Sequence, residues 1–287
     1  MRSSSAPPGK RGSLRTLTKP TINETGLFDR MTACRKSDKA SLLLRARSAV
    51  LEAYRTYGIN NLAYRTSIID SSETGEALKS GYSIIRSGSL SDVGREVLSR
   101  SRICCLCGLR DVSELDHFLP RCQFPEFSNF TLNLVPVCSR CNKLKGDDYV
   151  TDTGGQAFIH AYLDSLPVDD QFLVAEIELG DSIVPVFSLT RSRGISGSTY
   201  IVLVEQFHRL KLDTHYSEEA TELLVEVKGA MGEYFDEGGA DAVSKYLMRD
   251  ARSVAKRHGM NHWKFAALNA AASSVEFCSG AFADLPD

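Results

Sequence analysis

The chain has 287 residues, 43% hydrophobic and 24% charged, enough to bury a sizeable core. No apolar run approaches the ~18 residues of a membrane span, and the basic N-terminus has no apolar stretch behind it to act as a secretory signal. A soluble, cytoplasmic protein with no membrane contact is expected. The net charge of -2 excludes a uniformly basic nucleic-acid binder, but the charge is uneven. Residues 1–45 hold ten Lys or Arg against three acids, and residues 151–181 hold seven acids and no Lys or Arg.

In chain order, residues 1–36 read as a flexible basic arm that could track phosphates. Residues 37–100 read as helical. Leu43, Val50, Tyr54 and Tyr57 fall on one face of a helix over 37–57 that stops at Gly58. Shorter helices are expected over 73–85 and 90–99. Residues 101–150 carry much turn punctuation and little apolar periodicity, as in a small unit shaped by a metal ion. Gly154–Gly155 marks a joint, after which 151–287 reads as an α+β region. A hairpin is expected there, with strands 172–179 and 183–189 turning at Gly180–Asp181. Helices follow over 200–211, 218–235, 241–258 and 262–277. In the third, Val243, Leu247, Ala251 and Val254 line one face and Gly259 ends it.

Six of the eight cysteines lie within 104–141. Cys104 and Cys107 form one C-x2-C pair, and Cys138 and Cys141 form another. Two such knuckles make a tetrahedral four-sulfur site, which suits structural Zn2+ and leaves no open coordination position. Cys105 is a neighbour outside that spacing. The enclosed segment contains Asp116-His117, then Asn133, and Asn142-Lys143-Leu144-Lys145-Gly146 follows Cys141 directly.

This order of elements over roughly 104–148 resembles the HNH, or ββα-metal, endonucleases of the zinc-containing type. The resemblance implies an α+β fold, with a zinc-stapled ββα unit embedded between mainly helical flanks. It implies that Asp116 and Asn142 hold one catalytic divalent cation, Mg2+ or Mn2+, and that His117 is the general base. It assigns Asn133 to bracing the two strands, with Asn129 as its competitor, and lets Lys145 face the phosphate. Each residue also has a plainer reading. Asp116 could be a turn or cap residue, His117 a buried core histidine, Asn142 a helix cap and Lys145 a solvated lysine. Arg121 and Phe118 flank the active strand, and Arg121 could touch phosphate or be an ordinary surface residue. His160, His208, His215, His258, His262 and Trp263 read as core or surface residues.

The implied activity is phosphodiester hydrolysis of nucleic acid, with DNA expected ahead of RNA. The stretch from Asp116 to Asp147 also resembles a bacterial and phage subset of the family. Some of that subset serve antiviral defence beside an ATPase partner subunit. Two alternatives are a nuclease effector gated by such an ATPase and a non-catalytic zinc-stabilised module that binds nucleic acid or protein.

Overall fold

A computed structural model describes residues 16–59, 62 and 65–286. These form two compact units, Thr16–Ser165 and a second running on from Leu166. The architecture mixes helix and strand, as expected for an α+β chain. No helix among the described residues is long and apolar enough to cross a membrane.

The first unit opens with α1 (Glu24–Ala33), capped by the Asn23 side chain, which accepts from Gly26 N at 3.0 Å. The basic arm expected over 1–36 therefore does not run to its end as an arm. Leu27, Phe28 and Met31 recur at helical spacing and are buried. Residues 1–15 of that arm lie outside the described residues. In α2 (Ser37–Arg55), Leu43, Val50 and Tyr54 line the buried face. Arg47 joins the two helices through a forked pair of hydrogen bonds to Asp29 at 2.7 and 2.9 Å.

The helix expected over 73–85 is two helices, α3 (Ser72–Lys79) and α4 (Tyr82–Ser87). The break falls at Gly81, where a Cβ would meet Met31 Sδ at 2.4 Å and the Asn129 amide at 2.6 Å. Next come α5 (Ser91–Leu98), β1 (Glu114–His117), β2 (Leu134–Val137) and α6 (Ser139–Lys145). β1 and β2 pair antiparallel, with Asp116 opposite Val135 and His117 opposite Leu134.

Tyr54, Tyr57, Phe127 and Phe130 form an aromatic core beneath the β1–β2 connection, with Tyr54 stacked on Phe130 at 4.2 Å. Glu126 is fully buried there, and its carboxylate accepts from Ser67 Oγ at 2.9 Å and Ile68 N at 3.1 Å. The joint expected at Gly154–Gly155 does not divide the units. Residues 151–165 belong with the first, because Tyr162 Oη donates to Leu134 O at 3.1 Å and His160 Nε2 lies 3.1 Å from Tyr57 Oη.

In the second unit, β3 (Leu173–Leu179) and β4 (Ile183–Leu189) form the expected antiparallel hairpin, registered from Leu173–Leu189 to Leu179–Ile183. Then come α7 (Gly197–Arg209), α8 (Leu212–Glu226), α9 (Lys228–His258), α10 (Trp263–Ser273) and α11 (Val275–Cys278). α8 packs on β4, and α10 packs on β3 and α9. Leu224, Met231, Val243, Leu247, Ala251 and Leu268 make the core. α9 breaks at Gly238–Gly239, where Gly239 has φ +64°. Asn261 is buried and ties the hairpin to this core by accepting from Phe172 N at 2.7 Å and Leu173 N at 3.1 Å.

Candidate functional site

The first cysteine knuckle turns at Gly108 (φ +65°), whose N–H donates to Cys104 O at 2.8 Å. The second is built where β2 runs into α6: Cys138 caps the helix, its sulfur accepting from Cys141 N at 3.4 Å. The sulfurs of Cys104, Cys107, Cys138 and Cys141 are buried and all lie within 4.8 Å of one another. A tetrahedral Zn2+ with ~2.3 Å bonds to sulfur requires sulfurs about 3.8 Å apart. Cys107 and Cys138 are 3.9 Å apart, so the donor set fits a zinc ion. Cys105 is buried but points elsewhere, its thiol donating to Pro136 O at 3.4 Å.

Strand alternation puts Glu114 and Asp116 on one face of β1. On α6, Asn142 and Lys145 are three residues apart and share a face. The two faces meet: the Asn142 amide donates to Glu114 Oε2, and Lys145 Nζ lies 3.0 Å from Asp116 Oδ2. Lys145 Nζ also donates to His117 O at 3.0 Å. Its side chain is only 1% exposed, so the ammonium is held inside, away from solvent. Burial raises the Asp116 carboxyl to about 6, with the Lys145 ammonium opposing.

The His117 ring is set by different neighbours. Its Nε2 is 2.9 Å from Ser128 O, and Tyr82 lies against it at 4.6 Å. A carbonyl only accepts, so Nε2 carries the proton and Nδ1 keeps a lone pair. Burial lowers His117 to about 4, with the Ser128 carbonyl opposing. The imidazole is therefore neutral at pH 7 with a wide margin, instead of titrating there as an unperturbed histidine would.

Asn133 is completely buried and uses its whole amide. Oδ1 accepts from Leu119 N at 2.8 Å and Tyr57 Oη at 2.8 Å. Nδ2 donates to Leu119 O at 3.0 Å and Phe127 O at 3.2 Å. It thus closes the loop that leaves His117. Asn129, its competitor, instead reaches back to α3, donating to Leu78 O at 2.7 Å.

Asp116, His117, Asn133, Asn142 and Lys145 are thus gathered on one hairpin and its helix. Among the described residues, the four cysteines are the one set of three or more His, Cys, Asp or Glu whose ligand atoms lie this close together. Glu114 was not among the sequence candidates. The signal for it was its position two residues before Asp116 in a strand.

No family model matches the chain, and no solved structure does. Protein ea31 of Escherichia phage lambda is 41% identical over 70 residues. Those residues are 24% of this chain and 23% of that protein, so the match spans under a quarter of the relative's length.

Proposed function

We propose that the protein is a metal-dependent endonuclease of the HNH type, hydrolysing phosphodiester bonds of nucleic acid, with DNA ahead of RNA. The observation that carries this reading is the state of His117. Its Nε2 is committed to Ser128 O, which leaves Nδ1 as a neutral acceptor on a fixed ring. Such a ring offers an oriented lone pair to a water molecule that attacks phosphorus, as a weaker base than an unperturbed histidine.

Asp116 and Asn142 are hard oxygen donors of the kind Mg2+ or Mn2+ prefers, and the Asn142 oxygen has no hydrogen-bond partner among the described residues. When bound, a cation of this kind supplies positive charge to the phosphate and the leaving oxygen. Lys145 takes a positioning role: its ammonium fixes the Asp116 carboxylate and the carbonyl of His117 together. Asn133 holds the loop behind the base. The four cysteines would hold Zn2+ as a structural ion that fastens α6 to the knuckle preceding β1.

A second reading, a non-catalytic zinc-stabilised binding module, is favoured by one observation. Asp116 already has a buried counter-charge in Lys145 and needs no metal to be stable there.

The two readings separate in one experiment. Wild-type and His117→Ala protein are incubated with supercoiled plasmid, single-stranded DNA and tRNA, with and without Mg2+ or Mn2+. Cation-dependent cutting by the wild type, reduced at least ~100-fold by the substitution with unchanged zinc content and melting, is expected for a general base. No cutting of any substrate by the wild type, or full activity in His117→Ala, would reject the nuclease.

A further inference from the structure

Tyr82 begins α4, outside the hairpin and its helix, yet it touches β1 twice. Its hydroxyl donates to Leu115 O at 2.7 Å, and its ring lies 4.6 Å from that of His117 at an interplanar angle of 59°. The same tyrosine carries a cation: the guanidinium carbon of Arg121 is 5.5 Å from the ring centroid. The imidazole and the guanidinium are therefore separated by no more than those two ring distances together.

Arg121 shares with Arg45 and Arg102 a side chain that makes no hydrogen bond or ion pair among the described residues, and of these three it is the one held over an aromatic ring beside His117. Arg30, Arg47, Arg55 and Arg100 are paired with Asp92, Asp29, Glu52 and Glu96, and Arg86 donates to Ser113 O. Arg121 is exposed and makes no hydrogen bond or ion pair among the described residues. Glu76, a carboxylate that feels its charge, is taken by Lys79 at 2.5 Å. A guanidinium held against an aromatic ring keeps its N–H donors available at its edge, in a fork that matches two phosphate oxygens.

We infer that Arg121 grips a backbone phosphate of the nucleic acid, and that Tyr82 is the positioning residue that sets this grip beside His117. The identity of the ligand rests on the nuclease reading. The arrangement gives the site an anion contact that depends on no metal. It also makes α4, a helix outside the ββα unit, part of the substrate surface.

The test is binding of the full-length protein to fluorescein-labelled duplex and single-stranded oligonucleotides, read by anisotropy across a salt titration with no divalent cation added. Losing one phosphate contact lowers the slope of log affinity against log salt by about 0.9 on duplex DNA, or about 0.7 on a single strand. Arg121→Ala is expected to show that drop and roughly tenfold weaker binding at low salt, the same for every sequence tried. Tyr82→Leu should reproduce the drop, and Tyr82→Phe, which keeps the ring, should retain the wild-type slope. An unchanged slope in Arg121→Ala overturns the proposal, and a normal slope in Tyr82→Leu overturns the role of the tyrosine. If the wild type cuts DNA while Arg121→Ala binds normally, only this inference fails. If Arg121 carries the slope but no cation ever elicits cutting, only the nuclease reading fails.

Discussion

Replacing Asn133 by alanine tests how much the loop behind His117 owes to one amide. The side chain makes four hydrogen bonds at 2.8–3.2 Å to Leu119, Phe127 and Tyr57 in a fully buried setting. Each is worth about 1 kcal/mol net, and the partners left behind are sealed from water. Asn133→Ala should therefore cost about 4 kcal/mol, a large share of the stability of an ordinary domain. Asn133→Asp should be no milder, since it turns a carboxylate oxygen toward the carbonyls of Leu119 and Phe127. Asn129→Ala is the control: it loses a single bond, to Leu78 O, and should cost about 1 kcal/mol. Urea unfolding followed by circular dichroism reads the totals, and hydrogen exchange at Leu119 N reads the loop directly. An Asn133→Ala protein within about 1 kcal/mol of wild type, with its Leu119 amide still protected, would refute this account of the loop.

Two further predictions concern the metal and a buried acid. Zinc in a four-cysteine site contributes ~10 kcal/mol or more of folding free energy. Chelation, or Cys138→Ser, should therefore unfold the segment around the hairpin, and elemental analysis of the purified protein should find zinc. Melting that is indifferent to chelation would count against a structural metal. Glu24 is raised from 4.5 to about 7 by burial, opposed by the Thr131 hydroxyl, and its Oε2 has no partner. A carboxyl raised on folding stabilises fully below its unfolded value, and that contribution is lost as pH climbs toward the folded value. Glu24→Gln should thus match wild type below about pH 4.5 and exceed it by at most about 3 kcal/mol above pH 7. A stability difference that does not change with pH would sink that reasoning.

How far the molecule could be read in advance depended on whether a feature is local. The cysteine knuckles, the Asp116-His117 neighbours and the β3–β4 hairpin are each written within a few residues, and each was legible. α1 was not, because Asp29, Arg30 and Arg35 surround its three buried apolar residues and give the stretch the composition of an arm. The close packing of Met31 and Asn129 against Gly81 comes from residues about fifty positions away, and no local pattern announces it. Spacing placed Lys145 on the same helix face as Asn142. It could not say that Asp116 would be waiting there, which turned an expected phosphate contact into a buried ion pair. Gly154–Gly155 suggests a boundary, whereas His160 and Tyr162 tie residues 151–165 back to Tyr57 and Leu134.

The two knuckles stand at opposite ends of the segment they enclose. Cys104 and Cys107 leave the ribosome more than thirty residues ahead of Cys141, so the first pair of sulfurs that could hold a metal is made before β1, the loop and β2. Contacts between distant residues form only after the intervening chain is ordered or closed. If the four sulfurs take zinc, a nascent chain halted short of residue 141 lacks that ion's full donor set and has only the β1–β2 pairing and the Asn133 amide to hold its hairpin.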